Sequence, residues 1–190
     1  MKYIFLLMLM NIGINAYSQI ELHIAELSAS NIVLDPNRPV FTEGEDEGPE
    51  IGFRCYIQNN TDKEIILQPQ KARVNILFNY KNKKYESKVN PLPFFEFESI
   101  TIKPHDSYEF FGGDTFLCGT DLWDQKRTDY TLEMLEILPT IKISYRDPNI
   151  NITSTDINTV VIDYPSGRWY LGNKPAPSKR SHPLNKKSRK

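Results

Sequence analysis

The side chains with the widest chemical reach in this chain are three histidines, His23, His105 and His182, and two cysteines, Cys55 and Cys118. A catalytic histidine must lie within hydrogen-bond reach of a nucleophile or of the proton it moves. Here the three are far apart in sequence, and none accompanies a nucleophile motif. There is no Gly-x-Ser-x-Gly, no His-Glu-x-x-His and no phosphate-cradling glycine loop. Two cysteines without a histidine at ligand spacing do not make a zinc site. Glu43, Glu45, Asp46, Glu47 and Glu50 offer the hard oxygen ligands a divalent cation takes, but not in the order of a known calcium loop. They read as a solvated acidic loop. The residue types therefore favour a chain that is not an enzyme and uses no cofactor and no metal.

Other groups suit contact better than catalysis. Phe94 and Phe95 lie in the proline-flanked run Pro91-Leu92-Pro93-Phe94-Phe95-Glu96-Phe97. Trp123 and the pair Trp169-Tyr170 fall in other stretches without a strand pattern. Large aromatics outside strands either close the ends of a core or anchor a protein or sugar partner. Phe94, Phe95, Trp123, Ser166, Trp169 and Tyr170 are thus the candidate partner contacts.

The start of the chain bears on where such contacts are made. Met1-Lys2 precedes an apolar run from Tyr3 to Met10, and Ala16-Tyr17-Ser18 carries small residues at the two positions a signal peptidase inspects. This is the pattern of a cleavable signal peptide over residues 1–18. Asn11 and Asn15 interrupt the run well short of the roughly 20 apolar residues a spanning helix needs. The expected destination is the periplasm or the extracellular space, with no transmembrane segment after cleavage. In that oxidising setting Cys55 and Cys118 are a candidate disulfide, the alternative being two separate buried thiols.

Charge divides the chain. Residues 174–190 hold seven basic side chains and no acid, whereas residues 19–173 hold 15 basic against 24 acidic. Pro175, Pro177 and Pro183 keep the basic end from forming an amphipathic helix. It reads as a disordered, solubilising tail over residues 166–190, and nucleic acid is not an expected partner.

Between these ends, residues 19–165 read as one β domain. Ile20 to Ile24 alternates apolar and polar. Ile51, Phe53, Cys55 and Ile57 share a face by the two-residue period, as do Val74, Ile76, Phe78 and Tyr80, and later Ile141, Ile143 and Tyr145. Short strands are expected at 64–67, 85–89, 99–103, 107–111 and 155–163. One short helix is expected near 128–138, where Tyr130, Met134 and Leu138 recur at helical spacing with Leu135 beside them and Pro139 behind. Seven to nine strands and one helix predict an all-β, two-sheet sandwich, and a monomer.

Two resemblances accompany this reading. Ile100-Thr101-Ile102-Lys103-Pro104-His105-Asp106-Ser107-Tyr108-Glu109-Phe110 resembles a strand-turn-strand of bacterial immunoglobulin-like domains, as does an inward Cys55 on an early central strand. That resemblance implies an immunoglobulin-like sandwich over about residues 20–163 and carries no function. Ser166-Gly167-Arg168-Trp169-Tyr170 resembles the Ser-Gly-x-x-Tyr signature of bacterial periplasmic lysozyme inhibitors. It implies a serine and a tyrosine entering an enzyme cleft, and the acidic body would attract a basic enzyme. The expectation is an exported, non-enzymatic binding or structural module for an envelope or extracellular protein or glycan. The alternative is an inhibitor of an exported enzyme such as lysozyme.

Overall fold

In the computed structural model, residues 19–33, 49–89, 94–115, 127–164 and 166–172 are described. They form eleven strands and one α-helix: β1 (Ile20–Ser30), β2 (Glu50–Asn59), β3 (Ile65–Leu67), β4 (Arg73–Tyr80), β5 (Lys83–Val89), β6 (Ile100–Ile102), β7 (Ser107–Thr115), α1 (Thr131–Ile137), β8 (Lys142–Arg146), β9 (Asn151–Thr153), β10 (Thr159–Tyr164) and β11 (Gly167–Gly172). One sheet has the order β11-β10-β1-β2-β7, a second β5-β4-β8-β9, and β3 and β6 form a two-stranded ribbon. The inward faces of the two larger sheets meet in one apolar core, which makes the molecule a β-sandwich.

The period-2 pattern decides which side chains enter that core. Ile51, Phe53, Cys55 and Ile57 of β2 are all buried, facing Val74, Ile76 and Phe78 of β4 and Ile143 and Tyr145 of β8. Burying each such side chain contributes about 1.5–3 kcal/mol. In β1 the pattern changes phase. Leu22 and Ile24 point inward, and so do Leu27 and Ala29, because the register with β2 shifts between Ile24 and Glu26. The bulge at Ala25 is what keeps both halves of the strand apolar side in.

The expected helix forms as α1, followed by a 3-10 turn at Leu138–Thr140. Asp129 accepts the Thr131 N–H at 2.8 Å, satisfying one of the free donors of the first turn. Tyr130, Met134, Ile137 and Leu138 are buried. Leu135 is exposed, because Ile137 takes the place beside Met134 that Leu135 was expected to fill.

Strands beyond those expected are β9, only three residues long, and β11. Ordered β structure therefore runs past Pro165, through residues first read as tail. The β4–β5 hairpin turns on Lys81 and Asn82 alone, both at positive φ (45° and 65°), the backbone of a type I′ turn. Residues 1–18, read as a signal peptide, the acidic residues 43–47, Cys118, Trp123 and residues 173–190 lie outside the described residues.

Polar groups inside the sandwich are few and saturated. Asn59, fully buried, has its amide nitrogen within 2.8–3.1 Å of the carbonyls of Lys63, Ile102 and Lys103, while its oxygen accepts from Thr61. It fixes the end of β2 to the ribbon strand β6. Asp147 does the same at the β8–β9 corner. It accepts the Tyr145 hydroxyl (2.7 Å) and the backbone N–H groups of Gln68 (2.8 Å), Asn149 (2.7 Å) and Ile150 (2.8 Å).

These two features yield two expected outcomes in chemical denaturation. Asp147→Ala orphans buried donors and lowers stability by about 3 kcal/mol, whereas Tyr145→Phe, which removes one donor and keeps the ring, costs about 1 kcal/mol. Equal losses would show that the carboxylate is not the hub. The pair Lys81→Asn and Asn82→Gly suits the left-handed backbone better and raises stability by about 1 kcal/mol. No gain would mean the turn is not type I′ in solution.

Candidate functional site

The histidines come first, since they are where chemistry would sit. His23 stands on the outer face of β1. Its Nδ1 is 2.8 Å from Asp156 Oδ1, its Nε2 is 3.3 Å from Glu21 Oε2, and its ring stacks on Tyr56 with centroids 4.8 Å apart. Both ring nitrogens lie within reach of carboxylates, which fix the ring on the outer face of β1. The arrangement clasps β1 to the segment that leads into β10. His105, at positive φ in the β6–β7 turn, meets Asp62 at 3.1 Å on the open surface. Neither faces a hydroxyl or thiol nucleophile in these contacts. Among the described residues no group of three His, Cys, Asp or Glu side chains is gathered as a metal site.

Cys55 is a free thiol at the centre of β2, fully buried, and burial pushes its pKa far above the ordinary thiol range. Such a thiol is inert.

The candidate contacts separate sharply. Phe94 is not available to a partner: it is 2% exposed and packs its ring on Phe110 (4.9 Å, stacked) and against Tyr145 (5.9 Å). Hydrophobic burial between the sheets outweighs display. Phe95 is half-buried against the core and touches Phe94. Ser166, Trp169 and Tyr170 are brought together at the surface, in the hairpin of β10 and β11.

This hairpin is built by register. Asp163 pairs with Arg168, Ile162 with Trp169 and Val161 with Tyr170. By the two-residue period, Arg168 and Tyr170 share the outer face of the sheet and Trp169 lies on the inner one. β11 is the last strand of its sheet, beyond the reach of the opposing sheet, so Trp169 stays 61% exposed and Tyr170 42%. Tyr164 meets Trp169 edge-on at 6.0 Å and holds its ring in place. Arg168 forms a two-pronged ion pair with Asp163, at 2.6 and 3.2 Å, which raises the guanidinium pKa further. Gly167 sits at φ 135°, a backbone that other residues rarely adopt.

An apolar groove of about 410 Å³ lies on the same side of the sandwich. Leu135, Leu138 and Ile141 form one wall, and Ile157 and Val160 the other, with Lys142 and Asp156 at its polar margin. Val160 is two residues before Ile162, the partner of Trp169, so groove and ring are about 7 Å apart along the strand. Leu132, 77% exposed, extends the apolar surface along α1. Sequence reasoning did not find the groove. Its only signal was Leu132 and Leu135 at helical spacing, which a core helix shares.

No protein-family model matches the chain, and no curated protein matches it. Among solved structures it is similar to an uncharacterized β-sandwich protein from Clostridium difficile 630, with 12% identity, a TM-score of 0.31, and 72% of this chain and 85% of that one covered.

The exposure of Trp169 is directly measurable. In Trp123→Phe it is the sole tryptophan. Its emission should lie near that of a solvated indole and be quenched readily by iodide, and Trp169→Ala should change stability by no more than about 0.5 kcal/mol. A blue-shifted, quencher-resistant emission would show the ring covered.

Proposed function

We propose that this chain is an exported, non-enzymatic binding module of the cell envelope, an immunoglobulin-like sandwich that engages a protein partner through its β10–β11 hairpin and the adjoining groove. The observation that carries the reading is the exposure of Trp169 and Tyr170 on the β10–β11 hairpin, with Leu135 lining the nearby groove and Leu132 exposed on the same helix; Ile66, Phe97 and Phe111 are exposed elsewhere. Exposed aromatics beside an apolar groove are what interface hot spots are made of. The burial of Cys55 argues against catalysis by this thiol. Export rests on the signal-like segment 1–18. The immunoglobulin-like reading is supported by the antiparallel β1–β2, β2–β7 and β10–β11 pairs of the first sheet, with the first strand also paired in parallel to a late one.

A second reading is favoured by one specific observation. Ser166 and Tyr170 of the Ser-Gly-x-x-Tyr sequence are both exposed at one hairpin. Inhibition of an exported enzyme such as lysozyme would use that end of the hairpin as a plug.

Affinity capture from the native envelope fraction tests the first reading. The chain should recover a protein partner, and Trp169→Ala or Leu135→Asp should reduce recovery at least tenfold while leaving the fold intact. Recovery of no partner, together with a hydrolase activity of the purified chain, would overturn it. In the same preparation, lysozyme slowed at micromolar chain and relieved by Tyr170→Ala would favour the plug over the groove.

A further inference from the structure

Every open sheet has edges, and an edge presents alternate backbone N–H and C=O groups that another strand can pair with. In this molecule the described edges are treated differently. β5, at the end of the four-stranded sheet, displays Lys83, Lys84 and Lys88. β9, at the other end, is three residues long. β7 lies against β5 of the opposite sheet. Lysines, shortness and cover are the usual guards against edge pairing. β11 has none of them. It spans six residues, contains no lysine and no proline, and pairs along its full length with β10 without a register shift. Among the described residues nothing pairs with its outer edge. Its single charge, Arg168, is already neutralised by Asp163 within the same hairpin.

The sequence of β11 also fits itself. Two copies related by a two-fold axis perpendicular to the sheet pair antiparallel, and each residue must then face one on the same side of the sheet. In the register centred on Trp169, the two indoles oppose each other on the inner face. On the outer face Arg168 opposes the partner subunit's Tyr170, and the converse pair repeats it. Gly167, at positive φ, falls opposite position 171 and brings no side chain of its own to that pair. Aromatic pairs and guanidinium-on-phenol contacts are both favourable cross-strand arrangements. Within one chain Arg168 already interacts with its own Tyr170 beside the Asp163 pair, so guanidinium and phenol are grouped on the outer face. The chain's own C-terminal segment is a poor competitor for this edge, since Pro175 and Pro177 lack the N–H that a pairing strand must donate.

We propose that β11 pairs antiparallel with β11 of a second copy, joining two five-stranded sheets into one continuous sheet of ten. This rests on the reading of the hairpin as a protein-contact surface and names its occupant. Two six-residue strands and two indoles make an interface at the small end of the known range, so the dimer dissociates at micromolar concentration.

Sedimentation of the purified chain from about 1 to about 300 µM, a range that brackets so small an interface, tests it. The expected result is a monomer–dimer equilibrium, abolished by Trp169→Lys with the melting temperature unchanged. In a Cys118→Ser background, where Cys55 is buried, Trp169→Cys should give a disulfide-linked dimer on oxidation and Arg168→Cys should not. A monomer at every concentration overturns the proposal, and so does a dimer indifferent to Trp169→Lys. If the chain stays monomeric but still captures an envelope protein through Trp169, the dimer fails and the binding module stands. If the dimer forms as described and nothing else is captured, the reverse holds.

Discussion

A phenol that must donate inside an apolar core, and a carboxylate that must accept there, hold this sandwich in register. Tyr145 is fully buried, and its ring meets Phe94 and Phe110 between the sheets. Burial, reinforced by Asp147, pushes its pKa far above the ordinary phenol range, so it remains a neutral donor. Its acceptor is Asp147, whose other lone pairs take backbone N–H groups from Gln68, Asn149 and Ile150. A buried carboxylate is tolerable only when saturated in this way. The hub therefore sets three things at once: the β8–β9 corner, the exit of β3, and the depth at which Phe94 enters. Shifting β8 by one residue would turn Tyr145 outward and strand Asp147, so register and hydrogen bonding enforce each other.

That constraint also explains why, among the described residues, one flank of the sandwich is left uncovered. The two sheets overlap where their aromatic and aliphatic faces match, around β1, β2, β4 and β8. The first sheet has five strands and the second four. The surplus strand is β11, paired along its length with β10 at the rim of the first sheet. α1 and its 3-10 turn partly fill the space beside β10, and the space they leave is the groove. Exposure of Trp169 is thus a consequence of topology and not of a local lack of polar residues.

The legible parts of this sequence were those where a face keeps one phase. β2, β4 and β8 were readable because every second residue is apolar from end to end. β1 was readable only to Ile24, since the bulge inverts the phase and hides Leu27 and Ala29 from a period-2 search. β9 is too short to carry a period. β11 reads as tail because it follows Pro165 and is bracketed by glycines, and its strand character comes from pairing with β10. The parallel pairing of β1 with β10 has no local signal at all. Among the candidate site residues, Trp169 and Tyr170 are exposed and Phe94 is core. Residue type could not separate them, because the distinction lies in placement: Phe94 is set between the sheets by a 3-10 turn (Phe94–Glu96), whereas Trp169 and Tyr170 stand on the rim strand β11.

Stability alone does not account for the composition of β11. A strand on the rim gains little by presenting indole and phenol to water, and a polar residue at either position would fold as well. Three lysines on β5 show that this fold accommodates guards at an edge. The one cation on β11 is instead turned onto Asp163, which removes its repulsion and leaves the strand flat and apolar. An unguarded, aromatic edge is an aggregation hazard unless something regularly covers it. On the proposed reading, the composition of β11 is accounted for by contact with another chain.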